Sequence, residues 1–512
     1  MTGGELQLAS YGAQDQYLTG NPQISFFKMV YRRYTNFSME SIKCTFDGNT
    51  NLLLSSNITF RAKIQRIGDL LSTMYFCFNL PEIYSGTRNN INYEFQWIKN
   101  IGTNIIDNVR ILLGGNILDS HYGEWLNIWN ELTLSNDELT AFNKLIGNIP
   151  ELYDPKNSNG SFNSDGIPMY PTNSIDSNIP SIEKQIIYVP FAFWFNKNPG
   201  LALPLIALQY MDLEVYIDIK PIYDLYTIIE TDTNTTNSGK RIKPTSEHHN
   251  IGYFFKSNKF VNDLDIIPFM ELNYIFLDEK ERTRFSGVEH QYLIETTRKI
   301  HSPGHTNFAN IKLELQHPTK KIIWVGKRND ADERNDWNNY TNWIYEDIPP
   351  FRTENYQTIY NYGKNYNNEY FYPDPNDSSQ NWQNYTYLKK DIINNAKLIL
   401  NGMDRFDYKD NKYFQYAQPL QHFKKSFNKD GIFLYSFSLN PEKHQPSGSC
   451  NMSRINKISI QFEINNPPIK SNINPEDDPT NNYYYQYDFN IYSVTYNIFR
   501  IMSGIGGLEF AN

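Results

Sequence analysis

The chain has 512 residues, of which 40 % are hydrophobic and 15 % aromatic, and it carries a formal net charge of −9. This length exceeds one ordinary core and predicts two domains, while the apolar content excludes wholesale disorder. Because no Lys/Arg block is longer than a pair such as Arg32–Arg33, which has Lys28 nearby, direct binding of nucleic acid is disfavoured.

The first 25 residues are rich in glycine and show no sustained hydrophobic period. A segment of this kind is either an arm that leaves the core to bind a neighbour or a frayed terminus. It lacks the charged and apolar pattern of a signal peptide, so synthesis in the cytosol is expected.

The three cysteines, Cys44, Cys77 and Cys450, are widely spaced and odd in number. Neither a disulfide framework nor a paired-cysteine metal site is predicted, which fits a reducing compartment. Cys44 and Cys77 lie in strand-like runs, where we expect small buried thiols.

Alternation of apolar and polar residues is the dominant pattern. In residues 58–64, Ile58, Phe60, Ala62 and Ile64 alternate with polar side chains, as a strand with one buried face requires. The pattern recurs over 213–219, 311–316 and 458–464. Many short alternating strands predict an all-β sandwich or barrel.

Helical signal is scarce and is best in residues 135–147. Ser135 and Glu138 have capping-box spacing, and Leu139 and Phe142 begin an apolar stripe. We predict a short helix in a loop rather than a layer of the fold.

Two stretches suggest an internal duplication: NVRILLGG from Asn108 and NAKLILNG from Asn395. Each predicts a strand that ends in a tight hairpin turn, Gly114-Gly115 or Asn401-Gly402. The alternating strands 213–219 and 458–464 follow at different distances, which leaves about 42 extra residues in the first copy. We place them in the polar segment 148–184.

Segment 326–390 shows little alternation and much Asn, Asp and Tyr. We predict a surface insertion that packs on its own aromatic residues, although drift in composition would give the same pattern. The aromatic residues include Trp337, Trp343, Tyr370, Phe371, Tyr372 and Trp382.

The chain contains no phosphate-binding loop, nucleophile elbow or zinc-protease motif, so we predict no catalytic residue, no cofactor site and no metal site. His301 and His305 have i, i+4 spacing, but the intervening Pro303 and Gly304 disfavour a helical metal pair. The His248-His249 pair lies in a polar linker and is expected to be solvated.

The charged run DEKERTR (278–284) could be taken for a catalytic cluster. No adjacent residue would shift the pKa of its carboxylates, so we predict the end of a strand with alternating charges.

Six blocks carry a resemblance to one family. They are GAQDQYLTGNPQISFFKMVYRRYTNF (12–37), PFAFWFNKNPGLALPLIALQY (190–210), NYIFLDEKERTRF (273–285), LQHPTKKIIWV (315–325), LNPEKHQPSGSCNMSRI (439–455) and NIFRIMSGIGGLEF (497–510). With them the chain resembles, from end to end, the double jelly-roll major capsid proteins of the nucleocytoplasmic large DNA viruses.

The resemblance implies an all-β fold of two consecutive eight-stranded jelly-roll β-sandwiches with long loop insertions, and a structural protein of the virion rather than an enzyme. It implies homotrimers in which six jelly rolls surround a threefold axis, forming pseudo-hexagonal capsomers that tile an icosahedral shell. Neighbouring capsomers and minor capsid and penton proteins would be the partners. The N-terminal arm would lie at the inner capsid face, near the internal membrane.

We therefore predict an arm (1–25), a first jelly roll (26–222), a linker (223–250), a second jelly roll (251–500) that carries the 326–390 insertion, and a tail (501–512). Two alternatives remain open. Aromatic loops would also suit a carbohydrate-binding or carbohydrate-cleaving β-sandwich, which for cleavage needs a pair of carboxylates. A minor or penton capsid protein would need only one jelly roll.

Overall fold

The computed structural model describes residues 2–510, apart from 86, 89–90, 165, 167, 172–178, 231–240, 246, 345, 347–388, 426 and 468–483. The strands up to residue 277 are β1 (Phe37–Thr45), β2 (Asn51–Leu53), β3 (Ile58–Ile64), β4 (Leu70–Leu80), β5 (Thr87–Arg88), β6 (Ile91–Trp97), β7 (Ile106–Leu113), β8 (Asn116–Tyr122), β9 (Gln185–Pro190), β10 (Leu203–Pro204), β11 (Leu213–Ile219), β12 (Tyr226–Glu230), β13 (Arg241–Ile242), β14 (Asp263–Asp265) and β15 (Phe269–Leu277). The later strands are β16 (His290–His305), β17 (Phe308–Lys312), β18 (Pro318–Arg328), β19 (Ile393–Leu400), β20 (Met403–Asp410), β21 (Ile432–Ser436), β22 (Cys450–Asn451), β23 (Ile458–Ile464), β24 (Tyr487–Met502) and β25 (Ile505–Leu508).

Helices are short and lie mostly in the connections. The α-helices are α1 (Gly3–Ala9), α2 (Gln16–Thr19), α3 (Ile101–Asn104), α4 (Gly123–Thr133), α5 (Asn136–Leu145), α6 (Pro150–Tyr153), α7 (Pro155–Ser158), α8 (Trp194–Lys197), α9 (Glu279–Gly287) and α10 (Gln418–Phe423). A π-helical turn (Tyr413–Ala417) leads into α10, and 3-10 turns include Glu247–His249 and Asn329–Arg334.

Each half of the chain forms two facing antiparallel sheets of the same strand order. In the first half these are the β1 sheet, in which β1, β15, β4 and β9 pair in turn, and the β3 sheet, β3-β11-β7-β8. In the second half they are the β16 sheet, β16-β24-β18-β21, and the β17 sheet, β17-β23-β19-β20. Both halves thus bring together strands one, eight, three and six in one sheet and two, seven, four and five in the other. The prediction of two consecutive eight-stranded jelly rolls is confirmed.

The cores lie where the alternating strands predict. Phe60 on β3 packs 6.3 Å from Phe76 on β4, measured between ring centroids, and joins the two sheets of the first jelly roll. Trp324 on β18 and Phe462 on β23 do the same in the second, at 5.8 Å. The runs 58–64, 213–219 and 458–464 are β3, β11 and β23, and the run predicted over 311–316 lies partly in β17.

Both predicted hairpins are present. Gly114 and Gly115 have φ of 56° and 84° between β7 and β8, and Asn401 and Gly402 have φ of 52° and 81° between β19 and β20. Two consecutive positive φ angles match the twist of the flanking strands, which explains the residue types. β7 and β19 are each the fourth strand of a jelly roll, so the duplication relates equivalent strands.

The extra residues of the first copy begin earlier than predicted. Residues 123–184 separate the fifth and sixth strands in the first jelly roll, against only 411–431 in the second. The insertion therefore includes α4, which the sequence analysis missed, and α5. The α5 prediction is confirmed: the Ser135 hydroxyl accepts from Glu138 N at 3.4 Å, and Glu138 Oε2 accepts from Ser135 N at 2.8 Å.

The predicted boundary between the jelly rolls is wrong. Strand β15, placed by the sequence analysis in the second jelly roll (251–500), pairs with β1 and β4 as the eighth strand of the first. The predicted linker 223–250 contains β12 and β13, which pair with each other, and β12 also pairs with β6. A Greek-key strand must return beside the first strand, so the first jelly roll closes only at Leu277.

Three further predictions need correction. The run 278–284 is not a strand end: Asp278 Oδ1 accepts from Glu281 N at 2.9 Å and caps α9. The tail 501–512 begins inside β24, which forms a hairpin with β25. Segment 326–390 begins as the end of β18, and most of its predicted loop, residues 347–388, lies outside the described residues.

Candidate assembly surfaces

His301, His305 and His249 each contact a different partner. His301 Nδ1 lies 2.8 Å from Asn490 Oδ1, and His305 Nε2 lies 2.8 Å from the Ser302 hydroxyl. His249 is not solvated as expected; it is buried, and its ring packs edge-on against Tyr93 at 5.8 Å. In the described part of the chain no group of three His, Cys, Asp or Glu side chains could hold a metal ion.

Cys77 on β4 is a buried thiol, as predicted, and its burial raises its pKa to about 12. Cys44 on β1 is half-buried, and burial raises its pKa as well. Neither thiol is ionised near neutral pH, so neither is activated for nucleophilic chemistry.

The two jelly rolls meet along an extensive contact that sequence reasoning did not find. We call the seam the contact of α4, α8 and β8 with the outer face of the β16 sheet. Its apolar part is formed by Trp125, Ile128, Trp129 and Leu132 of α4 against Ile323, Val325, Ile432, Leu434, Tyr492 and Val494. The spacing of the four α4 residues is helical and is the signal that could have revealed this face.

Glu124, in the first turn of α4, is the polar centre of the seam. Its carboxylate lies 2.5 Å from Lys327 Nζ and 4.0 Å from Lys299 Nζ, and it accepts from the Tyr492 hydroxyl at 2.5 Å and from Asn490 Nδ2 at 2.7 Å. All four partners belong to the second jelly roll. Burial alone would raise the pKa of Glu124, but the two lysines and the hydrogen bonds outweigh it and hold the pKa at about 2.

A second group of charges lies further along the seam. Glu295 on β16 is 2.5 Å from Lys320 Nζ and 3.8 Å from Lys197 Nζ, the latter from α8 of the first jelly roll. Burial opposes ionisation of Glu295, but Lys197 and Lys320 lower its pKa. This arrangement satisfies a buried carboxylate with one cation from each side of the seam.

Lys321, next to Lys320, is buried, and no described residue forms an ion pair with it. Its side chain is fully buried, and its Nζ has no hydrogen-bond partner among the described residues. The ammonium group lies 4.2 Å from the Trp129 ring centroid and 5.0 Å from that of Phe423. Burial, together with the neighbouring Lys320, lowers its pKa well below the usual range.

Residues near the start of the predicted 326–390 insertion also form hydrogen bonds between the two jelly rolls. Asn335 Nδ2 donates to the carbonyls of Tyr223 at 2.7 Å and Tyr226 at 2.8 Å, and Trp337 Nε1 donates to the Asp224 carbonyl at 2.9 Å. Trp337 was expected to pack within the insertion itself, but its indole N–H donates a hydrogen bond to the first jelly roll.

The N-terminal segment has the opposite character, because every side chain from 21 to 36 is exposed. Phe26, Phe27 and Tyr31 are 89, 99 and 83 % exposed. Lys28, Arg32 and Arg33 lie in the same stretch, and no acidic residue occurs between Asp15 and Glu40. No helix in the described part of the chain is long and apolar enough to cross a membrane. An exposed apolar segment of this size is typical of a binding surface.

A cleft of about 810 Å³ lies beside the seam, between β8, β16 and β25. The polar side chains of its walls are mainly hydroxyls and amides, including those of Thr296, Thr297, Ser493 and Thr495. Asp119 is the only carboxylate among the described residues that line it. Sugar cleavage by the usual mechanism needs two carboxylates facing one bond, and this cleft does not supply them.

Two family models match consecutive parts of this chain. Residues 25–278 match the family model described as major capsid protein N-terminus, and residues 281–507 match that described as large eukaryotic DNA virus major capsid protein. The boundary between the matches coincides with the end of β15.

The chain is 33 % identical over 565 residues to the major capsid protein of Phaeocystis pouchetii virus and 31 % identical over 529 residues to that of Paramecium bursaria Chlorella virus 1. Both alignments cover all of this chain and all of the relative. The chain is also similar to a chain of the quasi-atomic model of the PBCV-1 virus capsid, with 27 % identity and a TM-score of 0.64, covering 95 % of this chain and 100 % of the other.

Proposed function

Because this chain belongs to the major capsid proteins of the large eukaryotic DNA viruses and is a structural component of the virion capsid, we propose that its soluble unit is a homotrimer. Three chains would place six jelly rolls around a threefold axis and form a pseudo-hexagonal capsomer that tiles an icosahedral shell. The observation that carries the proposal is the seam, since it fixes two jelly rolls of equal strand order side by side.

Light scattering of the purified protein tests the trimer. The expected mass is three times the 60.1 kDa of the chain, because large obligate interfaces favour the assembled form at micromolar concentration. A stable monomer under these conditions would contradict the capsomer.

We assign the arm, residues 1–25 with the exposed stretch that follows, to contacts beneath the capsomer, at the inner capsid face near minor capsid proteins and the internal membrane. Its exposed aromatic and basic side chains support this assignment. Deleting residues 1–25 should leave the trimer intact and weaken shell assembly, measured by the yield of particles. Loss of the trimer itself would place the arm between the subunits of one capsomer.

The insertion 326–390 is proposed to reach the outward tip of the second jelly roll, since residues 329–392 connect its third and fourth strands. Limited proteolysis of intact particles should cut here or within 148–184 first. Early cleavage only within strands such as β3 would contradict this arrangement.

The protein is proposed to have no catalytic activity and no direct contact with nucleic acid, and to be made in the host cytoplasm. The presence of a single carboxylate among the described residues that line the 810 Å³ cleft supports the first point, and the net charge of −9 supports the second. Glycan hydrolysis abolished by a single carboxylate substitution would favour the carbohydrate-cleaving alternative. A penton role fits less well, because the chain has two jelly rolls.

A further inference from the structure

The C-terminal hairpin, meaning the end of β24 from Phe499 onward together with β25, belongs to the core of the first jelly roll. Phe499 and Ile501 are 0 and 2 % exposed and pack within that core, together with Ile294 of β16. Earlier in β24, Phe489 and Ile491 pack instead in the core of the second jelly roll. The long strand β24 therefore completes both cores, one with each of its halves.

The C-terminal hairpin contacts the first jelly roll through its backbone and through its side chains. Tyr210 N donates to the Gly504 carbonyl at 3.1 Å, in the turn between β24 and β25. The Phe499 ring lies 5.6 Å from the buried Trp194 ring of α8, measured between ring centroids. Without the hairpin, part of this ring and of the core beside it would face water, which is unfavourable for apolar surface.

Gly506 of β25 fits closely against the first jelly roll. Its N–H donates to the Met211 sulfur at 3.2 Å. A Cβ added at Gly506 would lie 2.7 Å from Leu208 Cδ2 and 2.9 Å from Leu113 Cδ2, and both leucines are buried. A side chain at this position would therefore push the hairpin away from the core. At the next position, a Cβ added at Gly507 meets no atom of the described residues within 4 Å, because successive residues of a strand face opposite sides.

The order of synthesis separates the C-terminal hairpin from the rest of this core. The strands of the first jelly roll end at Leu277, whereas Phe499 follows more than 200 residues later. Domains generally fold as units, the N-terminal one first during synthesis. Until the end of the chain has been made, however, the first jelly roll lacks part of its core, and the apolar surface that the hairpin covers stays exposed.

We propose that the C-terminal hairpin controls when the first jelly roll completes its fold: folding is completed only after the whole chain has been made, and incomplete chains are thereby kept out of capsomers. The hairpin can have this effect because close packing of large buried side chains contributes strongly to the stability of a core. The control of folding rests on the contacts of the hairpin alone, whereas its consequence for capsomers rests in addition on the proposed trimer.

Hydrogen–deuterium exchange of the full chain, measured by mass spectrometry, tests the role of the hairpin with a matched pair of variants. Phe499→Leu and Phe489→Leu each remove one fully buried ring of β24, from the first and from the second core. Phe499→Leu should accelerate exchange in β7 and β11 about tenfold and leave β19 and β23 unchanged, and Phe489→Leu should do the reverse. If Phe499→Leu accelerated exchange in both jelly rolls alike, or in neither, the proposal would be overturned.

The two adjacent glycines give a second matched pair. Gly506→Val should accelerate exchange in β7 and β11 in the same way, whereas Gly507→Val should not, because its side chain points away from the core. Should Gly506→Val prevent folding, as circular dichroism would show, Phe499→Leu still decides, because it introduces no clash. Equal exchange rates in two folded glycine variants would overturn the role of the hairpin.

The order of folding is tested by refolding the unmodified chain from urea and labelling its amides with short deuterium pulses. The amides of β7 and β11 should reach full protection in the same kinetic phase as those of residues 498–501. If β7 and β11 became fully protected in an earlier phase, the first jelly roll would complete its fold without the hairpin, and the proposal would fail.

The consequence for assembly is tested separately, by light scattering of the refolded variants. Gly507→Val should give the mass of the unmodified chain, and Gly506→Val, or Phe499→Leu if valine prevents folding, should lose the assembled form. If the unmodified chain is itself a monomer, the proposed trimer fails, while the exchange experiments still decide the role of the hairpin in folding. If the hairpin variant assembles as completely as Gly507→Val, the exclusion of incomplete chains from capsomers is overturned.

Discussion

The two jelly rolls share a strand order but differ in where residues are added to it. In the first, residues 123–184 lie between the fifth and sixth strands and supply α4, whereas in the second the long addition, residues 329–392, lies between the third and fourth. Among the described residues, only those of α4 present a buried carboxylate and two tryptophans to the other jelly roll. The two jelly rolls therefore share their strand order, whereas the helix that joins them belongs to an insertion found in the first jelly roll.

The largest effect is expected from removing a tryptophan of the seam. Trp125→Ala should lower the free energy of unfolding by about 4 kcal/mol, because it deletes a large buried side chain. It should also separate the thermal unfolding of the two jelly rolls into two calorimetric transitions. Trp324→Ala is the matched control, since Trp324 is equally buried but lies in the second core. It should destabilise without such separation, and the same behaviour of both variants would contradict the role of the seam.

Glu124→Gln should cost about 3 kcal/mol at neutral pH, because the half-buried Lys327 and Lys299 keep their charges and lose the carboxylate that pairs with them. The pKa of Glu124 is about 2 in the folded chain, below the ordinary value of 4.5. The stabilisation of the fold by ionised Glu124 is therefore complete above pH 4.5, and it is lost as the pH falls from 4.5 towards 2. Urea titrations across this range should show a shallower acid loss in the variant. If the free energy of unfolding fell equally with pH in the variant and in the unmodified chain, ionised Glu124 would not stabilise the seam.

The smallest effect on stability is expected at two adjacent lysines, Lys320 and Lys321. Lys321→Met should stabilise the chain by about 1 kcal/mol, because it removes a buried amino group that has no hydrogen-bond partner among the described residues, at the cost of its contact with the Trp129 ring. Lys320→Met should destabilise it, since Glu295 would lose its 2.5 Å ion pair. The pKa of Lys321 is lowered in the folded chain, so the unmodified protein should gain stability as the pH rises towards 10.5, and Lys321→Met should lack that gain. If both substitutions shifted the midpoint temperature of thermal unfolding in the same direction, the two lysines would not differ in their surroundings as described.

Local patterns predicted much of the scaffold and little of the seam. β3, β11 and β23 could be predicted because one buried face imposes period-two alternation, and both hairpins because positive φ angles select glycine and asparagine. The pairing of β15 with β1 joins residues more than 200 positions apart, and no local pattern encodes it. The helical spacing of Trp125, Ile128 and Trp129 was present in the sequence, but their burial depends on a surface formed by the other half of the chain.

The most direct test of the account is the image of the purified protein by electron microscopy. Two jelly rolls per chain held by the seam, and three chains in a ring, predict a pseudo-hexagonal outline of six lobes with threefold symmetry, in which two kinds of lobe alternate. A particle with two lobes only, or with three lobes around its axis, would contradict it.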